Sequence, residues 1–160
     1  MRRVPTCAAV HGRLGAVTSF SPGELRVRHG LPSDGSFLCG LMDAEGMATD
    51  ADPTEFVVAE ASGRYLGAAR VETVGDKSWI RPLVVADHAQ RRGVGRALVG
   101  ELASDHGRLY VVARGAAVGF YERAGFAMAD WGIAPDDLRA ECDACSDFAQ
   151  CRPAVLVRPA

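Results

Sequence analysis

The chain has 160 residues, of which 48% are hydrophobic and 24% are charged, and its formal net charge is −2. A chain of this length is expected to fold as one domain around a hydrophobic core. The near-neutral charge gives no electrostatic reason to expect nucleic acid or an anionic membrane surface as a partner. No segment has the run of about 18 apolar residues that a membrane span requires.

Two features of the sequence concern its cellular location. The basic start at residues 1–5 is not followed by a continuous apolar run, so a secretory signal is not expected. The number of cysteines, five, is odd, which makes a secreted disulfide framework a poor explanation. The sequence therefore predicts a cytoplasmic protein.

The first part of the chain lacks a sustained hydrophobic pattern. Residues 1–23 are predicted to be a flexible N-terminal extension, and residues 24–160 are predicted to form the folded domain. Alternating residues predict a strand at 25–29, and helix-start signals predict a helix at 32–45 that Gly46 would end.

The rest of the chain alternates between strand and helix patterns. The predicted elements are strands at 55–61, 65–73 and 78–85, a helix at 93–105, a strand at 109–113, a helix at 116–124, and strands at 126–129 and 154–157. This order predicts an α/β (α+β) fold with a single mixed, mostly antiparallel central sheet flanked by helices. The connection between the last two strands is expected to be irregular.

The strongest local signal lies where the third of these strands leads into the next helix. Gly93 and Gly95 have no β-carbon, so their backbone can approach a ligand closely. The first N–H groups of a helix lack partners within it and carry the positive end of its dipole. The segment therefore predicts an anion site suited to phosphate, to which three arginines add positive charge. Its residues are Leu83, Val84 and Val85 in the strand, followed after a polar loop by Gln90, Arg91, Arg92, Gly93, Val94, Gly95 and Arg96.

Two other interpretations of this glycine pattern are open. In the first, the glycines provide only the turn geometry of a helix start. The second is a Rossmann dinucleotide-binding fingerprint, which fits poorly because the third small residue is missing at the usual spacing. The loop from Val85 to Gly93 is also longer than the tight turn of that fold.

The segment resembles the central motif of the GNAT N-acetyltransferases, Gln/Arg-x-x-Gly-x-Gly/Ala. That motif is carried here by Gln90, Gly93 and Gly95. A second motif of the family follows at residues 120–126, and both lie in the expected order of elements. The chain is identified on these residues as a member of the family over about 24–157, nearest to short members that act on amino acids, including N-acetylglutamate synthase-like enzymes.

The resemblance implies roles for these residues. In this family the strand at 83–85 pairs with the pantetheine arm of acetyl-CoA, the amides at 91–96 hold the pyrophosphate, and the N–H of Val85 donates to the oxyanion. Tyr121 stands where many members carry the acid that protonates the departing thiolate, although a tyrosine that only packs is the alternative. The implied function is transfer of an acetyl group from acetyl-CoA to the primary amine of a small molecule.

Pro82 supports the ligand-binding interpretation of the strand on physical grounds. Proline cannot donate to a strand ladder, so it predicts a bulge or an interrupted edge. Such an interruption would leave backbone groups for an extended ligand. A proline at a plain edge position is the alternative.

The residues that would contact the acceptor are less well defined. Arg81 lies in the same strand, and its guanidinium could pair with a substrate carboxylate. The surrounding pattern resembles the amino-acid-acetylating members, although Pro82 stands where serine is common there, and a structural arginine is the alternative. The predicted acceptor is an amino acid or a similar carboxylate-bearing amine. No general base stands out among Glu60, Glu72 and His88, and a water chain could serve instead.

A cluster of cysteines lies close to the C-terminus. The spacing Cys142-x2-Cys145-x5-Cys151 is typical of thiolate ligands, but a fourth ligand would have to come from Cys7, Cys39 or a histidine. A structural metal site, a disulfide or redox role, and unreactive buried thiols all remain open. No metal ligand is assigned.

Two rival functions fit the same motifs. One is acetylation of a protein N-terminus or lysine, and the other is a catalytically silent sensor that binds acyl-CoA. Late strands in such sheets often pair between subunits, so the resemblance also suggests a homodimer.

Overall fold

The computed structural model describes residues 20–47 and 49–160. The predicted extension at 1–23, apart from its last four residues, and Cys7 lie outside the described residues. The strands and helices are, in chain order, β1 Arg26–His29, α1 Gly35–Ala44, β2 Phe56–Ala61, β3 Arg64–Val74, β4 Lys77–Val85, α2 Val94–His106, β5 Leu109–Ala113, α3 Gly115–Arg123, β6 Ala127–Ala129, α4 Asp136–Asp143, α5 Phe148–Cys151 and β7 Ala154–Arg158.

The strands form a seven-stranded sheet in the order β1-β2-β3-β4-β5-β7-β6. The pairs β1–β2, β2–β3, β5–β7 and β6–β7 are antiparallel, whereas β4 and β5 are parallel. The predicted fold class, a mixed and mostly antiparallel sheet flanked by helices, is confirmed. Every predicted strand and helix is present, with ends that differ by at most three residues.

The connection between β6 and β7 differs from the expectation, because it contains the helices α4 and α5 instead of an irregular segment. Helix α4 has good start signals, with Pro135 before its first turn and Asp136 and Asp137 within it. None of its residues is fully buried, but Leu138 and Cys142 are half-buried one turn apart. A single pair of this kind in an eight-residue helix is too short a pattern to predict a helix.

The described residues form two compact units, one comprising those up to Arg70 together with Pro82–Glu101 and the other Val71–Arg81 with Leu102–Ala160. In the first unit, side chains from α1, β2, β3 and β4 form a buried cluster. Its members are Leu38, Leu41, Met42, Phe56, Val58, Ala68 and Val84. The second unit has its own cluster of Trp79, Ala134 and Val155. Removal of these side chains from water is the main stabilising contribution in each unit.

A buried carboxylate ties three segments of the first unit together. Asp34 is 1% exposed and accepts hydrogen bonds from the Arg28 guanidinium at 2.8 and 3.1 Å, the Leu31 N–H at 2.7 Å and the Tyr65 hydroxyl at 2.9 Å. The Arg28 guanidinium is the largest cause, followed by these other donors, of a lowering of the Asp34 pKa to about 2, although burial opposes it. The ionised carboxylate is thus part of the folded structure.

Among the residues that the structure describes, no helix is long and apolar enough to cross a membrane.

Candidate active site

The end of β4 lies against β3 at a position where only glycine fits. A β-carbon at Gly67 would be 2.7 Å from the carbonyl oxygen of Val84 and 3.2 Å from the Cα of Val85. The N–H of Ala86 donates to the carbonyl oxygen of Leu66 at 2.9 Å. Val84 and Ala86 therefore direct their backbone groups toward β3, and strand alternation directs those of Val85 and Leu83 to the opposite edge.

The opposite edge of β4 is paired over a very short length. Among the described residues, the parallel ladder with β5 consists of the residue pair Trp79↔Tyr110, which lies before Pro82 in the strand. This is the interrupted edge that Pro82 predicts. The backbone groups of Leu83 and Val85 therefore lie on an edge without a β5 ladder, as an extended ligand would require.

The loop after β4 is closed by a side chain that the sequence assigned to the cofactor. The Gln90 Nε2 group donates to the carbonyl oxygen of Val85 at 3.3 Å and to Asp87 Oδ1 at 3.0 Å. A 3-10 turn at Asp87–Ala89 shapes the intervening chain. The side chain of Gln90 thus holds the loop against the strand, and its predicted contact with the cofactor stays a prediction.

The start of α2 presents a run of backbone donors. Within residues 20–47 and 49–160, no backbone carbonyl accepts a hydrogen bond from the N–H groups at 91–95, and the first turn closes with the bond from Ala97 N to Gly93 O at 3.0 Å. Arg91 and Gly93 have positive φ angles of 61° and 85°. Left-handed residues beside a helix start turn successive N–H groups toward one point, which suits an anion.

The backbone conformation at position 93 supports the turn-geometry interpretation of this glycine, and its close approach to a ligand stays a prediction. No described atom lies within 4 Å of where a β-carbon on Gly93 would be, so packing within the protein does not require glycine. The positive φ angle does, because an L side chain rarely adopts it. Arg91, Arg92 and Arg96 are exposed around this loop, and Arg92 lies over the ring of Phe20 at 5.7 Å.

Tyr121 is a buried residue of α3 in the second unit. It is 6% exposed, and its ring lies edge-on to Phe120 and Phe126 at centroid distances of 4.9 and 5.2 Å. No residue that the structure describes forms a hydrogen bond with its hydroxyl. Burial raises the pKa of Tyr121 well above its ordinary value, so the hydroxyl remains protonated at neutral pH. Tyr121 is therefore a weaker acid than an ordinary tyrosine, and its role as the acid stays a prediction.

Arg81 is surrounded by carboxylates of its own chain. Its Nη1 is 2.6 Å from Asp137 Oδ2 and 3.5 Å from Glu72 Oε2, and its Nη2 is 3.5 Å from Glu141 Oε1. Asp137 and Glu141 come from α4, the helix that sequence periodicity missed, so the sequence did not associate them with Arg81. A substrate carboxylate would have to compete with these groups.

Comparison with known proteins identifies the family of this loop and strand. Residues 52–128 match the family model described as the acetyltransferase (GNAT) domain. The matched segment is a GNAT acetyltransferase domain. This confirms the predicted family for residues 52–128. No curated protein matches the chain.

Solved structures with the same fold as this GNAT domain include N-acetylglutamate synthase from Neisseria gonorrhoeae complexed with coenzyme A and L-arginine. It has a TM-score of 0.69 and 20% identity over 84% of this chain, which spans only 33% of the synthase chain. Rv2747 from Mycobacterium tuberculosis, in complex with CoA, has a TM-score of 0.63 and 19% identity. The match covers 84% of this chain and 99% of the Rv2747 chain. The ribosomal-protein-S18-alanine N-acetyltransferase from Escherichia coli has a TM-score of 0.58 and 17% identity. The match covers 84% of this chain and 93% of the Escherichia coli chain. At these identities the likeness shows the fold alone.

Two of the three candidate bases of the GNAT domain are held in ion pairs. Glu60 accepts from Arg28, with its Oε2 3.1 Å from Nη2, and Glu72 lies beside Arg81. His88 is half-buried within the 3-10 turn after β4. None of the three is thereby assigned as the base.

The cysteine cluster lies in α4, α5 and the link between them. Cys142, Cys145 and Cys151 are free thiols, of which Cys145 is exposed. Burial, followed by the neighbouring thiols of Cys151 and Cys145, raises the pKa of Cys142. Cys39, a candidate fourth ligand, is disulfide-bonded and offers no thiolate.

Proposed function

We propose that this protein transfers the acetyl group of acetyl-CoA to the primary amine of a small molecule, an amino acid or a similar carboxylate-bearing amine. The main support is the run of backbone N–H groups at 91–95, flanked by left-handed conformations at Arg91 and Gly93. Such a run binds phosphate groups, and CoA carries a pyrophosphate.

The strand residues and the loop would bind different parts of acetyl-CoA. The pyrophosphate would accept hydrogen bonds from the amides at 91–96, assisted by the exposed arginines of the loop. The pantetheine arm would lie along the edge of β4 that carries the backbone of Leu83 and Val85. That edge is supported by Gly67, which permits the close approach of β3 and β4.

The chemistry requires a neutral amine, a stabilised oxyanion and a protonated leaving group. The amine nitrogen attacks the thioester carbonyl carbon, the C–N bond forms, and the C–S bond breaks through a tetrahedral oxyanion. The Val85 N–H donates to that oxyanion, the amine releases its proton to solvent, and the Tyr121 hydroxyl protonates the departing thiolate. Tyr121 then recovers a proton from solvent.

Arg81 is the proposed contact for the carboxylate of the acceptor. Asp137 already forms an ion pair with Arg81, as a substrate carboxylate would. The Asp137 side chain is 58% exposed. An exposed ion pair contributes little free energy, so an incoming carboxylate can replace Asp137. Arg81→Ala should raise KM for carboxylate-bearing amines by about tenfold or more and leave amines without a carboxylate unaffected. An equal loss of activity on all amines would show that Arg81 has a structural role instead.

A second candidate is acetylation of a cationic acceptor without a carboxylate, such as a polyamine, a lysine or a protein N-terminus. The observation that favours it is the local charge: Glu72, Asp137 and Glu141 together outnumber the single charge of Arg81. An excess of negative charge attracts cations to a site. In that case, amines without a carboxylate would have the highest kcat/KM.

Release of free CoA thiol from acetyl-CoA, measured with a panel of amino acids, polyamines and peptides, tests the proposal. Turnover with one class of amine and not the others identifies the acceptor. Binding of acetyl-CoA without turnover on any amine would favour the silent sensor, and failure to bind acetyl-CoA would overturn the proposal itself.

The remaining sequence-based expectations belong to the same proposal. Residues 24–160 would form the catalytic domain, which would act in the cytoplasm without nucleic-acid or membrane partners, and two copies would associate as a homodimer. Light scattering coupled to size-exclusion chromatography measures the last of these directly, and a mass equal to one chain would exclude the dimer.

A further inference from the structure

A cavity of about 390 Å³ lies in the first unit, at a place that the proposed acetyl transfer does not use. Its walls are the segment before β1, the first residue of β1, the end of β2 and the β2–β3 turn. In the sheet order, β2 and β3 separate β1 from β4. Since neighbouring strands lie about 4.8 Å apart, β1 and β2 are roughly 14 and 10 Å from β4. The cavity is therefore separate from the edge of β4 that the pantetheine arm would occupy.

Two residues of opposite charge line this cavity from neighbouring strands. Arg26 of β1 and Glu60 of β2 are directly opposite one another in the antiparallel ladder. Side chains at such positions lie on the same face of the sheet, with β-carbons about 5 Å apart, and opposite charges there stabilise the pair of strands. Among the ion pairs of residues 20–47 and 49–160, however, the pair Arg26–Glu60 does not occur.

Glu60 is held instead by the next arginine on the same face. Arg28 Nη2 is 3.1 Å from Glu60 Oε2, and Arg28 Nε donates to the same oxygen at 3.2 Å. Arg28 is itself fixed by Asp34, which is 1% exposed, through hydrogen bonds of 2.8 and 3.1 Å. These contacts position the Glu60 carboxylate. Within the described part of the chain its second oxygen, Oε1, has no hydrogen-bond partner.

Arg26 supplies positive charge to the cavity. Its side chain is exposed, and no residue that the structure describes forms an ion pair or a side-chain hydrogen bond with it. Glu24, another charged residue of the lining, has both oxygens engaged, because Oε1 accepts from the Ser62 hydroxyl at 2.9 Å and Oε2 accepts from the Ser21 N–H. The lining thus offers an unpaired guanidinium and a half-paired carboxylate on opposed residues of adjacent strands.

We propose that this cavity binds a free α-amino acid. The carboxylate of the ligand accepts hydrogen bonds from the Arg26 guanidinium, whose geometry suits a carboxylate, and its α-ammonium donates to Glu60 Oε1. The two charged groups of an α-amino acid are joined through a single carbon atom, so they can reach opposed residues of neighbouring strands at the same time. The rest of the cavity, bounded by the turn at Ser62 and Gly63, takes the side chain of the ligand.

The test records amide NMR spectra of the isotope-labelled full chain, without acetyl-CoA, while L-lysine is added. L-lysine is the probe because its side-chain ammonium suits the negative charge of Glu24. The amide signals of Gly23, Ser62 and Gly63 should shift and saturate, with a dissociation constant on the order of millimolar, because exposed ion pairs contribute little. Cadaverine, which is lysine without its carboxylate, should bind at least about tenfold more weakly.

Two variants remove the proposed contacts one at a time. Arg26→Gln and Glu60→Gln should each weaken L-lysine binding about tenfold. Arg26→Gln should leave cadaverine binding unchanged, because cadaverine has no carboxylate for Arg26 to bind. Arg64→Gln removes the same charge from the β2–β3 hairpin outside the cavity lining and should bind L-lysine normally. Circular dichroism separates loss of binding from loss of folding in Glu60→Gln, which also breaks the ion pair with Arg28.

Three results would overturn the proposal. One is the absence of a saturable shift in the wild-type protein, and another is an equal affinity of wild type and Arg26→Gln for L-lysine. The third is a set of shifts that persists in Arg26→Gln and disappears in Arg81→Ala, which would place L-lysine at the proposed acceptor site instead. None of these measurements needs acetyl transfer, so failure here is distinct from failure of the proposed function.

Discussion

Two residues of the proposed active site are constrained by different physical causes. Gly93 has a φ angle of 85° at the start of α2, and this backbone conformation is the reason for glycine. Tyr121 is constrained by its surroundings, because burial between Phe120 and Phe126 keeps its hydroxyl protonated. Substitutions at these positions should therefore affect different steps.

Gly93→Ala should weaken CoA binding by about tenfold, because a β-carbon at this φ angle costs roughly 1–2 kcal/mol or displaces the N–H groups that surround the pyrophosphate. Gly100→Ala is the matched control, since Gly100 lies in the same helix with nothing within 4 Å of the added carbon. Isothermal titration with CoA measures both variants. Equal affinities for the two would contradict the proposed role of the loop.

Tyr121→Phe should lower kcat by about 100-fold or more with little change in KM for acetyl-CoA, since it removes the proposed proton donor and keeps the ring. Because the pKa of Tyr121 is raised, wild-type kcat should not fall through loss of this proton near the ordinary tyrosine pKa of 10.0. Tyr110→Phe provides the control for a tyrosine outside the proposed chemistry. Full activity of Tyr121→Phe would exclude its role as the acid.

Some features of the strands and turns follow from short-range sequence signals, whereas others depend on close contacts between the backbones of different strands. The β2–β3 turn has positive φ angles at Ser62 and Gly63, which suits a two-residue hairpin, and glycine between two strand patterns is a local signal for such a turn. The approach of β3 to β4 depends instead on Gly67, which lies opposite Ala59 in an ordinary-looking strand pattern. Nothing local in the sequence distinguishes Gly67 from any other glycine.

Gly67→Ala should destabilise the protein by about 1–3 kcal/mol, because the added carbon would overlap the carbonyl oxygen of Val84 and force β3 and β4 apart. Chemical denaturation gives the free energy of unfolding. Gly40→Ala in α1, where nothing lies within 4 Å of the added carbon, should instead be neutral or stabilising. If Gly67→Ala were as stable as Gly40→Ala, the proposed close contact would be wrong.

For the molecule as a whole, stability should depend on the ionisation of Asp34. Its folded pKa of about 2 lies below the ordinary 3.8, a difference worth about 2 kcal/mol. Because the folded pKa is lowered, this stabilisation is present above about pH 4 and is lost as the pH falls through about 2. The free energy of unfolding should therefore decrease over that interval.

Asp34→Asn should lose about 2 kcal/mol of stability at neutral pH and differ less from the wild type near pH 2. Asp76→Asn, at an exposed turn position, is the control and should not lower the free energy of unfolding by a comparable amount. Denaturation curves at several pH values measure the effect. A constant difference between wild type and Asp34→Asn across the acid range would contradict the role assigned to the buried carboxylate.

The sequence by itself determined the fold class, the order of the predicted elements and the GNAT family. Strand alternation, helix periodicity and glycine punctuation are local patterns, and the two motifs lie at fixed spacings within the chain. The interrupted edge at Pro82 was likewise predictable, because proline lacks the N–H that a ladder needs.

Only the tertiary structure decided which distant groups meet. The carboxylates around Arg81 come from β3 and α4, and the ligands of Asp34 come from β1, β3 and the loop before α1. Helix α4 has only eight residues, too few for its periodicity to predict a helix, and the reason for glycine at position 67 lies in the neighbouring strand. Such contacts depend on the path of the whole chain, whereas sequence patterns report only the few residues on either side.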